Sequence, residues 1–258
     1  MRLSEKILLS LSKDPGRPTK EEEFESFSSQ TALNLLFRVF PKFSDVIKGK
    51  KVCDFGCGFG YQSIALAQKG AVYVLGVDTN LKRIENAQKL SERENVSAKV
   101  NFTTTIDERH LQKFDMVISQ NSMEHFPDPV AIVELMKSLI KDDGQLFITF
   151  GPPWYAPHGS HMQFFTRVPW VNLLFPEKTV MNVRNYFRSD GAKRYEEVES
   201  GLNKMTVSKF EKIISQCGMQ VTFRKYECIK KLDLLGQIPW ARELFINHVS
   251  CVLAQKSR

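Results

Sequence analysis

The sequence predicts an α/β protein built on a doubly wound, largely parallel sheet. Three observations carry that expectation. Short β-type runs alternate with helical stretches from Lys51 onward, a glycine-rich loop joins the first run to its helix, and an acidic residue closes the second run. Alternation of this kind leaves crossover helices to cover the faces of the sheet.

Residues 1–49 read as a helical N-terminal cap. An acidic run, Glu21-Glu22-Glu23, precedes Phe24, and TALNLLFRVFPKF has the apolar spacing of an amphipathic helix that ends before Pro41. The core is expected over 50–151, with strands KVCDF, AVYVLGV, VNFTT, FDMVIS and QLFITF separated by helices at 61–69, 81–94 and 129–141. The third helix is punctuated by Asp128 as N-cap, Pro129 at the first helical position and Gly144 after the last turn.

Residues 152–205 break the rhythm. Pro152, Pro153, Pro157, Pro169 and Pro176 interrupt any long element, while Trp154, Tyr155, Phe164, Phe165, Trp170 and Phe175 crowd between them. An aromatic, proline-rich insertion after the fifth strand is predicted, either a loop lobe packed on the core or a lid over an apolar substrate. Residues 206–258 then complete the core, with helix TVSKFEKIISQC closed by Gly218, strand MQVTFRKYECI, a connection around Leu232 to Asn247, and strand VSCVLAQK.

Composition narrows the class. At 258 residues, 42% hydrophobic and 25% charged, the chain has material for one globular domain or a core with a lobe, which excludes disorder. Its apolar stretches fall short of the ~20 residues that span a bilayer. MRLSEKILLSLS lacks the build of a signal peptide, so a cytoplasmic location is expected. Five cysteines without a C-x-x-C pair read as reduced thiols. A net charge of +7 favours acidic partners: nucleic acid, an anionic membrane surface or a phosphorylated substrate. The positive charge is scattered, with a modest concentration from Lys178 to Arg194, as on a solvated face.

The strongest motif is Asp54-Phe55-Gly56-Cys57-Gly58-Phe59-Gly60, directly after a strand and directly before a helix. Glycines at alternate positions let the backbone turn tightly and meet a ligand without Cβ interference, and free amides at a helix start favour an electron-rich group. Asp78 closes the second strand about 20 residues on, where a carboxylate accepts the hydroxyls of a nucleoside ribose. A nucleoside-containing cofactor is therefore expected across the first two strands. The loop is D-x-G-x-G-x-G and not the dinucleotide G-x-G-x-x-G, and a leading carboxylate suits an ammonium group where it would repel a pyrophosphate.

On these residues the sequence resembles the class I S-adenosylmethionine (SAM) dependent methyltransferases. The resemblance runs in good register from Lys51 to Phe150, and the stretch from Phe114 to Phe150 is similar to the small-molecule branch that includes quinone-biosynthesis enzymes. It implies a Rossmann-like sheet of seven strands with an antiparallel last pair, SAM as cofactor and S-adenosylhomocysteine as product. It also implies cofactor contacts from Asp54, Gly56, Cys57, Gly58, Gly60, Asp78, Thr79 and Gln120. The family usually has Gly-Asp after the third strand; this chain has Thr105-Ile106-Asp107, so the Ile106 backbone is expected at the adenine with Asp107 as an amino-group acceptor.

Methyl transfer from a sulfonium is an in-line displacement, in which positioning and exclusion of water do much of the work. For a hydroxyl acceptor a base helps, and the candidates fall at the carboxyl ends of the fourth and fifth strands: Asn121, Glu124 and His125, then His158 and His161. His125, His161 and His158 are the catalytic candidates, with His161 preferred to His158 for its place beside the aromatic run. Either of these last two also reads as a loop histidine bonded to backbone. Some metal-dependent relatives carry E-x-x-E-H after the fourth strand. Here the first Glu is Asn121, so no metal is expected, and ligands for one would come from Glu124, His125 and His161. Gly151-Pro152-Pro153-Trp154 follows the wrong strand for the N-P-P-Y motif of amino-group methyltransferases. The expected function is methyl transfer to a small or lipophilic acceptor, at oxygen. The alternatives are a nucleic-acid (RNA) methyltransferase, a SAM-binding relative without turnover, and a nicotinamide oxidoreductase. Peripheral docking of the insertion on an anionic membrane is a further reading.

Overall fold

The computed structural model describes residues 1–13, 28–198, 201–229, 232, 234–239 and 241–256; the acidic run at 21–23 and Phe24 lie outside the described residues. In chain order the elements are α1 (Leu3–Ser10), α2 (Asn34–Val39), α3 (Phe43–Val46), β1 (Lys51–Phe55), α4 (Tyr61–Gln68), β2 (Tyr73–Val77), α5 (Leu81–Arg93), β3 (Val100–Thr103) and β4 (Phe114–Gln120). They continue with α6 (Pro129–Leu139), β5 (Ile140–Phe150), α7 (Val171–Leu174), α8 (Glu177–Arg184), α9 (Val207–Gln216), β6 (Met219–Cys228), α10 (Arg242–Phe245) and β7 (Ile246–Gln255).

The described strands form one seven-stranded sheet in the order β3-β2-β1-β4-β5-β7-β6. The first five are parallel, and β7 runs antiparallel to both β5 and β6. The order reverses between β1 and β4, which opens a crevice at their carboxyl ends. Alternate side chains of each strand feed opposite layers. On one face Cys53, Val117, Leu146, Ile148 and Phe150 pack with Val133 and Met136 of α6 and with Phe210 and Ile213 of α9. On the other, Val52, Val74, Met116, Ile118 and Phe147 pack with Ile64 of α4 and with Leu36, Phe40, Phe43 and Ile47. Phe147 stands edge-on to Phe40 at 5.1 Å and to Phe43 at 5.6 Å, so α2 and α3 are fastened to the middle of the sheet.

Two boundaries differ from the sequence expectation. The helix starts as predicted, with the Asp128 carboxylate accepting from the Ala131 amide and Pro129 in the first turn, but it ends at Leu139. Ile140 is already extended and pairs with Phe114, so β5 starts five residues early and Gly144 lies within the strand. A Cβ at Gly144 would meet Phe114 O at 3.0 Å; the glycine serves close strand approach at a register shift, not a helix cap. The last strand likewise begins at Ile246, inside the stretch expected to be a connection.

The insertion has a core of its own. Leu8, Met162, Phe165, Val180, Met181, Val183 and Tyr195 are buried together, with Trp154, Phe164 and Phe187 packed against them. Trp154 meets Tyr195 edge-on at 4.8 Å, and Phe165 stacks on Phe187 at 5.3 Å. Helix α1 is part of this lobe. Asn182 Nδ2 donates to the Glu5 carboxylate at 2.8 Å, and the Lys13 amide donates to Phe165 O. The N-terminal segment is thus shared, α1 with the lobe and α2 and α3 with the sheet. Each fully buried large side chain of the lobe contributes about 1.5–3 kcal/mol. Among the described residues no helix is long and apolar enough to cross a membrane.

Candidate active site

The glycine loop sits at the carboxyl end of β1, beside the end of β2. The amides of Gly56 and Cys57 both donate to Val77 O, at 2.8 and 2.9 Å, which welds the loop to β2. Gly56, Gly58 and Gly60 all have positive φ, at 84°, 55° and 79°. The three are not equivalent. A Cβ at Gly56 would lie 2.7 Å from Ser122 Oγ and one at Gly60 would lie 2.7 Å from the Ala87 side chain, whereas at Gly58 nothing stands within 4 Å. Gly56 and Gly60 therefore serve packing, and Gly58 is the open face of the loop.

Asp78 is half-buried and organises this face. Its carboxylate accepts from the Gly58 amide at 3.0 Å and the Asn80 amide at 2.9 Å, and Thr79 beside it is exposed. Asp54 is placed differently. It is 1% exposed, and its two oxygens accept from Gln62 Nε2 and Ser63 Oγ, both at 2.6 Å. Asp54 stands behind the loop and fixes the first turn of α4. Its two partners follow eight and nine residues later and carried no signal in the sequence. Cys53 and Cys57 are buried small side chains, and burial pushes both thiols well up, away from thiolate chemistry.

After β3 the chain makes only a 3-10 turn, Glu108–His110. Ile106 is half-buried against the core. Asp107 is exposed; its carboxylate caps the turn and binds Arg109, which holds its carboxyl down at about 2. It lines a 390 Å³ surface hollow with Asn101, Thr103, Thr105 and Arg109.

At the carboxyl end of β4, Gln120 Oε1 is buried without a hydrogen-bond partner among the described residues. Asn121 takes a left-handed conformation, φ 51°, and accepts from His248 Nε2 at 3.3 Å, a histidine that sequence reasoning passed over. Met123–His125 form a 3-10 turn. Glu124 is 3% exposed, burial raises its carboxyl, and one oxygen accepts from the Gly151 amide at 3.4 Å. His125 Nδ1 lies 2.7 Å from Gly201 O; a carbonyl only accepts, so Nδ1 is the donor, and in the neutral ring Nε2 then carries the lone pair. His161 meets His125 edge-on at 5.7 Å and bonds Pro152 O through Nε2 at 3.4 Å. His158 is half-buried, and its carbonyl accepts from the His161 amide. Among the described residues no group of three or more His, Cys, Asp or Glu side chains is arranged to hold a metal ion.

Two buried titrations oppose each other. Burial pushes Asp54 up to about 6 from 3.8, so the folded state binds the proton better, and this group adds stability as pH falls from 6 towards 4. Burial pushes His161 down to about 4 from 6.5, so the unfolded state binds the proton better, and stability is lost over nearly the same interval. Each contributes on the order of 3 kcal/mol. Asp54→Asn is expected to make unfolding by urea markedly easier at pH 4.5 than at pH 7. His161→Phe should reverse that slope, and parallel pH dependence in both variants would contradict the assignment.

A sheet of this order, with a glycine loop after β1 and an acid after β2, is a Rossmann-like methyltransferase fold. Residues 47–152 match the family described as Methyltransferase domain. Over 107 residues the chain is 39% identical to the ubiquinone biosynthesis O-methyltransferase of Actinobacillus pleuropneumoniae serotype 5b, an alignment covering 39% of this chain and 45% of the relative. The enzyme of that name from Neisseria meningitidis serogroup C is 35% identical over 107 residues, covering 40% and 44%. The chain thus spans less than half the length of these curated relatives. Among solved structures, magnesium protoporphyrin IX methyltransferase from Synechocystis PCC 6803 with bound SAH superposes with a TM-score of 0.55 at 20% identity, over 93% of this chain and 89% of that one. Geranyl diphosphate methyltransferase in complex with SAM gives 0.57 at 12% identity, over 94% of each chain. At these identities the likeness concerns the fold.

Proposed function

We propose that the protein transfers the methyl group of SAM to an oxygen of a small or lipophilic acceptor. The observation that carries this reading is the open face at Gly58 with the Asp78 carboxylate bonded to that residue's amide. The residues fit the cofactor. Each Asp78 oxygen accepts one amide and keeps a lone pair for a ribose hydroxyl, and the buried, unpartnered Gln120 Oε1 offers an acceptor at the end of β4. Asp54 acts from behind the loop, as a buried charge that favours the cationic amino-acid end without exposed contact. When bound, SAM supplies an electrophilic methyl on a positively charged sulfur.

The protein's part is to hold the acceptor, exclude water and take a proton from the reacting hydroxyl. His125 is the base in this reading, because its Nδ1–H donates to Gly201 and leaves Nε2 free to accept. His161 stays neutral down to about pH 4 and is correspondingly the poorer proton acceptor. The aromatic insertion supports an apolar acceptor through its place after β5; most of its aromatic side chains form the lobe's own core, which argues against their use as a membrane anchor. The names of the quinone-pathway relatives support oxygen as the methylated atom.

Titration calorimetry with SAM and with S-adenosylhomocysteine tests the cofactor assignment. One-site binding of both is expected, and binding of NADH with no heat from SAM would overturn it.

A further inference from the structure

The turn that carries His125 is gripped by a segment 76 to 80 residues away. Asn203 Nδ2 donates to Met123 O at 2.7 Å and to Phe126 O at 2.8 Å, and the Asn203 amide donates to Glu124 O at 2.9 Å. His125 Nδ1 donates to Gly201 O at 2.7 Å. Four bonds thus join 123–126 to 201–203, and the turn has no side-chain cap of its own. With both amide hydrogens of Asn203 committed to carbonyls, its orientation is fixed, and an isosteric carboxylate could not replace it. Gly201 has φ 63°, a left-handed conformation that glycine adopts without a Cβ penalty.

We propose that Asn203 is a positioning residue for His125: by clamping the turn onto Gly201 it selects the Nδ1–H tautomer and leaves Nε2 as the proton acceptor. This rests on the reading of His125 as the base. The same segment is tied into the lobe. Lys204 Nζ bridges Glu177 and Glu196, each at 3.0 Å, and the Trp154 amide donates to Met205 O at 2.7 Å. The lobe and the base are therefore linked through three consecutive residues, Asn203, Lys204 and Met205.

The test uses protein labelled with ¹⁵N at histidine, at a pH where the ring is neutral, with the His125 signals assigned by their loss in His125→Asn. The unsubstituted protein is expected to show the Nδ1–H form at His125, and Asn203→Asp to shift it towards Nε2–H. In parallel, the initial rate of methyl transfer from labelled SAM into an organic extract of the source cells should fall about tenfold or more in Asn203→Asp. It should fall by no more than about twofold further when that change is added to His125→Asn. Should Asn203→Asp fail to fold, Asn203→Ala removes the same donors without adding charge. An unchanged tautomer, or an equal rate loss in the His125→Asn background, would overturn the proposal. If His125→Asn alone retains full rate, the base reading fails, and the tautomer measurement still decides whether Asn203 sets the ring.

Discussion

Asp78→Ala is expected to weaken SAM binding about a hundredfold while the protein stays folded. Hydrogen bonds to a charged group contribute about 1.5–3 kcal/mol each, and two from a ribose diol to one carboxylate amount to ~3 kcal/mol or more. The carboxylate also holds the Gly58 amide, so its removal loosens the face that the cofactor meets. Stability should fall by only about 1 kcal/mol, because Asp78 is half-buried and water can replace it at the two freed amides. Calorimetric titration alongside a thermal melt separates the two quantities. SAM affinity within about threefold of the parent would remove Asp78 from the ribose site.

The second large effect falls on folding. Gly60→Ala forces a side chain into a left-handed conformation at φ 79°, with its Cβ 2.7 Å from Ala87 and 2.8 Å from the Phe102 ring. Left-handed strain of about 1–2 kcal/mol and overpacking of about 1–3 kcal/mol add, because neither neighbour is the end of a flexible chain. A loss of about 3–4 kcal/mol, or roughly 10 °C in melting temperature, is expected. Gly58→Ala is the control. With nothing within 4 Å it meets the backbone strain alone, so it should melt within a few degrees of the parent yet bind SAM about tenfold more weakly. Equal melting temperatures for the two variants would contradict the division of labour within the loop.

The parts of the fold that were legible in the sequence are those whose signal is local. Lys51–Phe55 reads as a strand and is one, and Asp128 and Pro129 mark the start of α6 by capping chemistry that operates within four residues. The glycine loop was legible because three positive-φ positions in a row of alternate residues leave few other choices. Gly144 misled because glycine serves helix ends and close strand approach alike, and the neighbour that decides between them, Phe114, lies 30 residues upstream. Asp54 leads the glycine motif in sequence, and its burial with Gln62 and Ser63 depends on how α4 leaves the loop. The helical N-terminus was legible as helix, but its allegiance was not, since Leu8 and Glu5 find partners beyond residue 160. The same holds for the groups around His125. Asn203, Gly201 and His248 act through long-range contacts, which no spacing rule reports.

Methyl transfer from SAM to a small or lipophilic acceptor is tested by incubating the purified protein with methyl-labelled SAM and extract of its own cells, then separating lipid, small-molecule, protein and nucleic-acid fractions. Label is expected in the organic or small-molecule fraction, sharply reduced by His125→Asn and by Asp78→Ala. Label confined to RNA or protein, or no transfer despite tight SAM binding, would contradict it.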